Sequence, residues 1–433
     1  MHPSNQENTK AGKQLFGFLQ IPPAVKSLNV CCFVMGESFS FFGSWMTQIA
    51  LIWLVYQLTN SAVLVGIAGF TSQAMGLVIT PLVGVLLDRW SLRHVLLATQ
   101  LVSMILSATL TFLTLNGYIT FTWIIVIGML QGIVKAFDLP ARLVAIPRLV
   151  DNKTDTYSAI SIHSFMVNSA KFISPMIGGV LLAKSGAGSC FLVDVISYLP
   201  FVSAILTVKI QSLPNNSVAK KAKVWDNLKE GFVYAYSFVP IKCVLILQII
   251  ICFMAMTYVN LMPIFAKNIL NGNAETMGFL MTASAFGSII SGIYLVFRNK
   301  AKGLEKIIAS STTILGLALI LFSRSTDLQT AIVLIFIVGM TNTLALAAIG
   351  NFVQLIIADE NKRGRVTSIF TTCFLGILPF GNLFFGGLAD KVGVNNALLF
   401  GGACCLIGAT YFYKKLPEMK KIVHTVYLET GLQ

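Results

Sequence analysis

The sequence predicts an all-α membrane protein with twelve transmembrane helices arranged as two six-helix bundles. Hydrophobic residues make up 56% of the 433 positions and charged residues only 11%, whereas a soluble domain carries about 25% charged residues. Apolar runs of the ~20 residues that a helix needs to cross a bilayer recur along the whole chain. Lysine and arginine collect in the intervals between these runs. A chain of this kind exposes most of its surface to lipid.

The apolar runs predict twelve separate spans. They cover residues 28–56, 62–87, 95–116, 119–138, 157–183, 188–208, 240–266, 275–297, 305–323, 328–349, 366–388 and 394–413. Two of the divisions fall in short intervals, at Asn116-Gly117 and at Gly186-Ala187-Gly188. Asn and Gly adopt the backbone conformations of tight turns, so each of these intervals can reverse the chain.

Basic residues predict the orientation, because the cytoplasmic loops of membrane proteins carry an excess of Lys and Arg. With the N-terminus inside, the outer side receives only Lys184, Lys267, Arg324 and Lys391. The polar N-terminus lacks the basic-then-apolar layout of a cleaved signal peptide, so the first apolar run is expected to stay as a span. We therefore expect a multi-pass protein of the bacterial inner (cytoplasmic) membrane with both termini in the cytoplasm.

The chain is expected to contain two related halves. A displacement of 208 residues matches Gly84 with Gly292, and the glycine pair 178–179 with the pair 386–387. Both halves run in the same direction after six spans, which is the layout of parallel repeats. The predicted domains are a cytoplasmic N-terminal tail (1–27), a first bundle (28–208), a cytoplasmic central loop with an amphipathic helix (209–239), a second bundle (240–413) and a cytoplasmic C-terminal tail (414–433).

Composition argues against several kinds of site. The net charge of +14 is spread at regular intervals between apolar runs, so it does not indicate a surface that binds nucleic acid. The eight cysteines lie in or near apolar stretches without metal-ligand spacing, so neither a metal site nor a disulfide framework is expected. The sequence has no Gly-rich phosphate loop ending in Gly-Lys-Ser or Gly-Lys-Thr. We therefore expect no ATP site and no cofactor.

The loop between the second and third spans has the features of a conformational latch. Gly84 lets two helices approach closely. Asp88 can face a helix N-terminus and Arg89 can meet a carboxylate, with Arg93 in the basic cluster that follows. This pattern resembles the signature loop of the major facilitator superfamily, although Ser91 stands where that loop usually has glycine.

Further segments resemble the branch of this superfamily that holds the enterobactin exporter and the macrolide-efflux proteins. They are residues 140–142, 146–150, 168–179, 261–267 and 363–366. The resemblance covers nearly the whole chain. It implies a secondary transporter, here expected to be a monomer, whose two bundles rock around a central site by alternating access. Transport would be driven by an ion gradient or by the gradient of the substrate.

The first span carries a polar stripe with an acid near mid-membrane. Glu37 lies eleven residues past Lys26, about 16 Å along a helix. Ser40, Ser44 and Gln48 share its face. A charge at this depth costs about 2.5–3.5 kcal/mol, which makes it a candidate for function. Either Glu37 takes and releases a proton beside a cavity lined by this stripe, or it is the permanent partner of a buried base.

Three more ionisable residues are predicted inside spans. Lys171 shares a helix face with His163. It either binds an anionic part of the substrate or pairs with Glu37, or it only stabilises the contact between spans one and five. His163 is either functional, since histidine as a residue type changes charge near neutral pH, or a hydrogen-bonded structural residue. Asp194 is a second candidate for proton coupling, or it forms a local contact with a residue such as Ser197.

Other polar residues complete the predicted cavity. Gln131 shares a face with Lys135 and Asp138 at the inner end of span four, where the last two can pair at i,i+3. In the second half the candidates are Tyr258, Asn260, Asn342 and Asn382. Neutral polar residues of this kind can equally serve to hold helices together.

The sequence and the resemblance together predict proton-coupled export of a small amphipathic molecule, such as a siderophore or a drug-like compound. An importer of a metal-loaded siderophore and a lysolipid flippase remain alternatives. So do two other classes, a membrane-embedded enzyme and a transporter-like receptor. An enzyme would need paired catalytic side chains near one leaflet, and the four histidines do not cluster in the sequence. No residue is therefore assigned a catalytic role.

Overall fold

The chain folds into a bundle of long helices. The computed structural model describes residues 27–87, 90–150, 156–210, 236–298, 303–357 and 360–430. In these ranges 11 helices are long and apolar enough to cross a membrane. One of them contains two spans separated by a break, so the predicted all-α architecture of twelve spans is confirmed.

The first half consists of five helices. They are α1 (Leu28–Thr59), α2 (Ala62–Leu87), α3 (Leu92–Leu115), α4 (Phe121–Ala145) and α5 (Thr156–Thr207), with a short 3-10 helix at Ile146–Arg148. The backbone of α5 breaks at Gly186, where φ is 77° and ψ is 175°. Glycine adopts this positive φ without the steric cost of a Cβ atom. The thiol of Cys190 then donates to the carbonyl of Gly178 at 3.7 Å, so the two arms of α5 lie side by side.

The second half begins with a broken span. The helix α6 (Val239–Ile250) leads through a π-helical turn (Ile251–Ala255) into α7 (Tyr258–Asn268), and together they form the predicted seventh span. A π-helical turn interrupts the regular hydrogen-bond ladder of a helix. The remaining helices are α8 (Ala274–Phe297), α9 (Leu304–Arg324), α10 (Leu328–Ile356), α11 (Glu360–Val392) and α12 (Val394–Thr430).

The last helix continues beyond residue 413, where the twelfth span was expected to end. It runs to Thr430. Phe412, Leu416, Met419 and Val423 recur on one helix face and are buried in the hydrophobic core. This packing stabilises the extra turns, although their composition is polar overall.

Two predicted features lie partly outside the described residues. Asp88 and Arg89 of the latch lie outside the described ranges. The 211–235 stretch of the central loop, with its predicted amphipathic helix, lies outside them as well. Gly84 lies inside α2. The latch and the division into tails, loop and bundles therefore stay predictions.

The two halves approach closely at the end of the molecule where α1 ends and α2 begins. A Cβ atom on Gly66 in α2 would lie 3.1 Å from the Cα of Gly386 in α11. A Cβ atom on Gly179 in α5 would lie 2.6 Å from the Cα of Gly278 in α8. Small residues at these crossings let the backbones touch.

Polar contacts join the halves at the same end. Asp390 Oδ1 accepts a hydrogen bond from the Ala62 amide at 3.1 Å, Lys267 Nζ donates to Asn60 Oδ1 at 3.0 Å, and Asn268 Nδ2 donates to the Tyr56 hydroxyl at 2.8 Å. In the predicted orientation this end faces the outside. The structure is therefore closed at the end that we predict to be external.

Candidate substrate cavity and charge cluster

A cavity of about 220 Å³ lies mainly inside the first half. Four predicted cavity residues line it, namely Ser44, Gln48, Gln131 and Asn260. The polar wall also includes Thr47, Gln73, Lys135, Asp194 and Tyr198, and the apolar wall includes Leu51, Ile52, Val55, Val65, Leu110, Ile124 and Ile127. A wall that combines apolar side chains with polar ones suits a small amphipathic molecule.

Asp194 is held by hydroxyl groups in the cavity wall. Its Oδ2 accepts hydrogen bonds from Thr47 Oγ1 at 2.9 Å and from Ser107 Oγ at 2.8 Å. The Tyr198 hydroxyl donates to the same oxygen at 3.4 Å. The predicted contact with Ser197 is present, since the Ser197 hydroxyl donates to Asp194 Oδ1 at 3.5 Å. These donors stabilise a carboxylate that is only 1% exposed.

Lys135 reaches the same cavity from α4 and is exposed. The local pair predicted between Lys135 and Asp138 is wrong. Asp138 accepts hydrogen bonds instead from Arg142 Nε at 2.7 Å, from Gln100 Nε2 at 2.7 Å and from Thr99 Oγ1 at 2.9 Å. Among the described residues, no carboxylate oxygen lies within 4.0 Å of the Lys135 ammonium.

Glu37 lies in a buried cluster of charged groups that joins α1, α4 and α5. Its Oε2 lies 2.8 Å from His163 Nδ1, and its Oε1 lies 3.6 Å from Arg142 NH1. The Glu37 side chain is only 1% exposed. The predicted pair of Glu37 with Lys171 is therefore wrong. The Lys171 ammonium lies 5.1 Å from the centre of the Trp45 ring, which is a cation–π contact.

Arg142 is the base that links the two acids of this cluster. It is only 3% exposed. Its guanidinium carbon lies 4.6 Å from the centre of the Phe41 ring and 4.4 Å from that of Phe201, so both ring faces contact the cation. Its NH2 donates to the Ser40 hydroxyl at 3.1 Å. Ser40 is thereby placed in the charge cluster, one turn away from the cavity wall.

The fourth span was predicted to end at residue 138, so Arg142 was expected beyond it. Pro140 lies inside the helix, although proline removes a hydrogen bond from a helix interior. The structure continues α4 to Ala145. The spacing of Asp138 and Arg142 at i,i+4 was the available signal, since an ion pair at this spacing stabilises a helix.

The charge cluster holds more acids than permanent bases. Two carboxylates, Glu37 and Asp138, face one guanidinium, Arg142, and His163 lies beside Glu37. A net charge is costly in a buried site, so these four side chains are candidates for a functional role inside the bundle.

The predicted polar residues of the second half are neutral and mostly buried. The hydroxyls of Tyr258 and Ser284 lie 2.5 Å apart. Asn342 and Asn382 are buried, and their Oδ1 atoms have no hydrogen-bond partner among the described residues. Asn260 is the member of this set that lines the cavity. The charged side chains of the cavity wall belong to the first half.

Arg93 contacts the end of a helix. Its Nε donates to the carbonyl of Ile205 at 2.9 Å, and its NH2 donates to the carbonyl of Leu206. Both carbonyls lie in the last turn of α5, where the helix dipole favours a cation. Arg93 therefore ties the start of α3 to the end of α5.

Residues 30–427 match the protein family described as transmembrane secretion effector. The chain belongs to this family of the major facilitator superfamily. The resemblance predicted from the loop between the second and third spans is therefore confirmed. Members of this superfamily are secondary transporters, and the chain is a multi-pass membrane transporter of small molecules.

Two characterised relatives and one solved structure extend this comparison. The staphyloferrin A transporter of Staphylococcus aureus is 27% identical over 88% of this chain and 95% of that protein. The macrolide efflux protein A of Streptococcus pyogenes is 22% identical over 85% of this chain and 91% of that protein. The crystal structure of a POT family transporter in complex with 5-aminolevulinic acid matches with a TM-score of 0.70 and 14% identity, over 90% of this chain and 96% of that one. At this identity the structural likeness shows the fold alone.

Proposed function

We propose that the transporter exports a small amphipathic molecule across the bacterial inner membrane in exchange for protons. The observation that carries this proposal is the buried charge cluster of Glu37, Asp138, Arg142 and His163. Its two carboxylates outnumber its one guanidinium, which suits a group that exchanges a proton, and Asp138 lies one helical turn from Lys135 in the cavity wall. The transporter acts as a monomer with both termini in the cytoplasm.

Helix α1 connects the charge cluster with the cavity. Glu37 lies in the cluster, and Ser44 and Gln48 line the cavity on the same helix. The hydroxyl of Ser44 lies 3.3 Å from that of Tyr198, which in turn donates to Asp194. Proton uptake weakens the attraction of Glu37 for its bases, so the packing of α1 against α4 and α5 changes. Asp194 is the second proton-coupling residue, because it adjoins the bound substrate.

In the transport cycle the outer end and the inner end of the molecule close in turn. In the state described here the glycine crossings and the polar contacts hold the outer end shut. The substrate then enters from the cytoplasmic side. The opposite state is held by the latch of Gly84, Asp88, Arg89 and Arg93 at the inner end. A bias of a few kcal/mol between the two states is enough to depopulate one of them more than about tenfold.

The names of the relatives support export and a siderophore or drug-like substrate. One of them is a macrolide efflux protein and another is a staphyloferrin A transporter. Both align with nearly the whole chain, so the same two-bundle machinery is available here. The second half contributes the neutral side chain of Asn260 to the cavity wall, and Tyr258, Asn342 and Asn382 are buried in the same half.

Transport in membrane vesicles of opposite orientation tests the proposal. Inverted vesicles, whose lumen corresponds to the outside, should accumulate radiolabelled staphyloferrin A when the lumen is acidified. A proton ionophore should abolish the accumulation. Accumulation in right-side-out vesicles instead would identify an importer. Accumulation in inverted vesicles that the ionophore leaves unchanged would exclude proton coupling.

A further inference from the structure

Lys135 places a positive charge in the cavity that no acidic side chain contacts. It is exposed and belongs to the cavity wall. Within the described ranges its ammonium has no carboxylate oxygen within 4.0 Å. Its charge acts on Asp194 and on Asp138 only over distances longer than 4.0 Å. A lysine inside a membrane bundle is costly, so such a residue usually pairs with another group or marks a substrate pathway.

The acids near Lys135 already have other partners. Hydroxyl groups donate to the carboxylate of Asp194. Glu37 and Asp138 lie in the charge cluster, where Arg142 and His163 face them. The positive charge of Lys135 is therefore available to a molecule that enters the cavity.

The rest of the wall suits an anion with an apolar body. The side-chain amides of Gln48, Gln73 and Gln131 can each donate hydrogen bonds to an anionic oxygen. The apolar body of the molecule can pack against Leu51, Ile52, Val55, Val65 and Ile127. A ligand that uses both surfaces has a charged end and a hydrophobic end.

We infer that Lys135 is a substrate-binding residue and that the transported molecule carries a carboxylate, which this ammonium binds. The inference rests on the proposed function, because it identifies the substrate class of the same cavity. A charge-assisted hydrogen bond between ammonium and carboxylate is about twice as strong as a neutral one. The carboxylate thus fixes the orientation of the molecule, while the apolar wall tolerates variation in the rest of it.

An anionic substrate also fits the direction of transport. The inside of a bacterial cell is electrically negative, so the membrane potential drives an anion outward and a proton inward. Exchange of a monoanion for a proton therefore moves two elementary charges in the direction that the potential favours. Import of the same anion by itself would move a charge against the potential.

Equilibrium binding to the purified full-length protein in lipid nanodiscs tests the inference without any gradient. The probes are 2-naphthoate and 2-naphthamide, which share a ring system and differ in charge. The variants are Lys135→Met and Lys135→Arg. The matched control is Lys242→Met, which removes a lysine that lies over the Tyr236 ring at the start of α6, away from the cavity wall.

The wild type should bind 2-naphthoate at least about tenfold more tightly than 2-naphthamide, since loss of a hydrogen bond to a charged group has an effect of this size. Lys135→Met should reduce this preference to less than about twofold, while Lys135→Arg and Lys242→Met should keep it. Equal binding of the two probes by the wild type, or no binding of 2-naphthoate, would overturn the inference without reliance on any variant. An unchanged preference in Lys135→Met would overturn it as well.

The anion site at Lys135 and the proposed proton coupling can fail separately. If proton coupling is wrong, the vesicles show no pH-driven accumulation, yet the preference for 2-naphthoate and its dependence on Lys135 remain. If the anion site is wrong, pH-driven transport of a probe remains and the preference is absent.

Discussion

The carboxylate of Asp390 accepts a hydrogen bond from the backbone amide of Ala62 at 3.1 Å. Asp390 lies at the end of α11 in the second half, and Ala62 is the first residue of α2 in the first half. The contact therefore caps a helix of one half with a side chain of the other. In the proposed cycle the two halves separate at this end when the transporter opens outward, so the cap is made in one state and lost in the other.

Replacement of Asp390 by alanine should shift the transporter toward its outward-open state. Loss of a capping side chain costs about 0.5–2 kcal/mol, which corresponds to a change of about 2- to 30-fold in the ratio of the states. Spin labels at Leu58 and Val392, two exposed residues near this end, would report the change. The long-distance population should rise in Asp390→Ala.

Asp327→Ala is the matched control for this experiment. Asp327 caps the first turn of α10 by accepting a hydrogen bond from the Thr330 amide at 2.7 Å, within one half. Its loss weakens a helix end without touching the contact between halves. An equal shift of the distance distribution in both variants would show that the Asp390 contact does not distinguish the two states.

A larger residue at a glycine of the close crossings should also change the ratio of the two states. The effect should differ between corresponding positions of the two halves. Gly179→Ala puts a methyl group 2.6 Å from the backbone of Gly278, so the halves must move apart. Gly387 occupies the corresponding position of the second half, and a Cβ atom there meets no atom within 4 Å. Gly179→Ala should raise the outward-open population measured with the same spin labels, and Gly387→Ala should leave it unchanged.

The sequence specified the helices well because the bilayer imposes a nearly fixed length on each span. The turn at Gly186 was also predictable, since it depends on a local backbone conformation. The end of α12 was not, because its extra turns are polar in composition and are stabilised by burial of Met419 and Val423. Burial of this kind depends on neighbouring helices, which a local pattern does not identify.

Depth along a helix was not enough to identify partners across the bundle. It correctly placed Glu37 in the interior of a helix long enough to span the membrane, yet it paired this acid with Lys171. The rotation of α4 and α5 about their axes brings His163 and Arg142 to Glu37 instead. Rotation follows from the packing of whole helix faces, whereas position in the sequence gives only the depth.

The predicted orientation can be tested by labelling single cysteines from outside intact cells. In a background without the eight native cysteines, Ser217→Cys in the central loop should stay unlabelled by an impermeant thiol reagent. Lys391→Cys, at the end of α11 and exposed, should be labelled. The opposite pattern would invert the orientation. Labelling of Ser217→Cys only after the cells are permeabilised would support it.

Arg142→Met should destabilise the protein strongly. It leaves Glu37 and Asp138 in the charge cluster without their guanidinium, and breaking a buried ion pair costs about 3–5 kcal/mol. Arg142→Met combined with Asp138→Asn should be more stable than Arg142→Met alone, because one uncompensated charge is removed. Lys171→Met is the control, since it removes only a cation–π contact of about 0.5–1 kcal/mol. Thermal inactivation in detergent measures the stability of each variant. Equal stability of Arg142→Met and Lys171→Met would contradict the role given to the ion pairs of Arg142.

Glu37→Gln is the variant that tests coupling most directly. The amide resembles the protonated carboxyl in shape and cannot change its charge, so the charge cluster is held in a proton-bound form. We expect this variant to bind the substrate and to exchange it across the membrane of proteoliposomes. It should not accumulate the substrate when a pH difference is imposed. Glu305→Gln makes the same change in another buried carboxylate, at the start of α9 and away from the cavity, and should keep pH-driven accumulation. Full accumulation by Glu37→Gln would exclude this residue from coupling and leave Asp194, which the hydroxyls of Thr47 and Ser107 hold in the cavity wall, as the remaining acid to test.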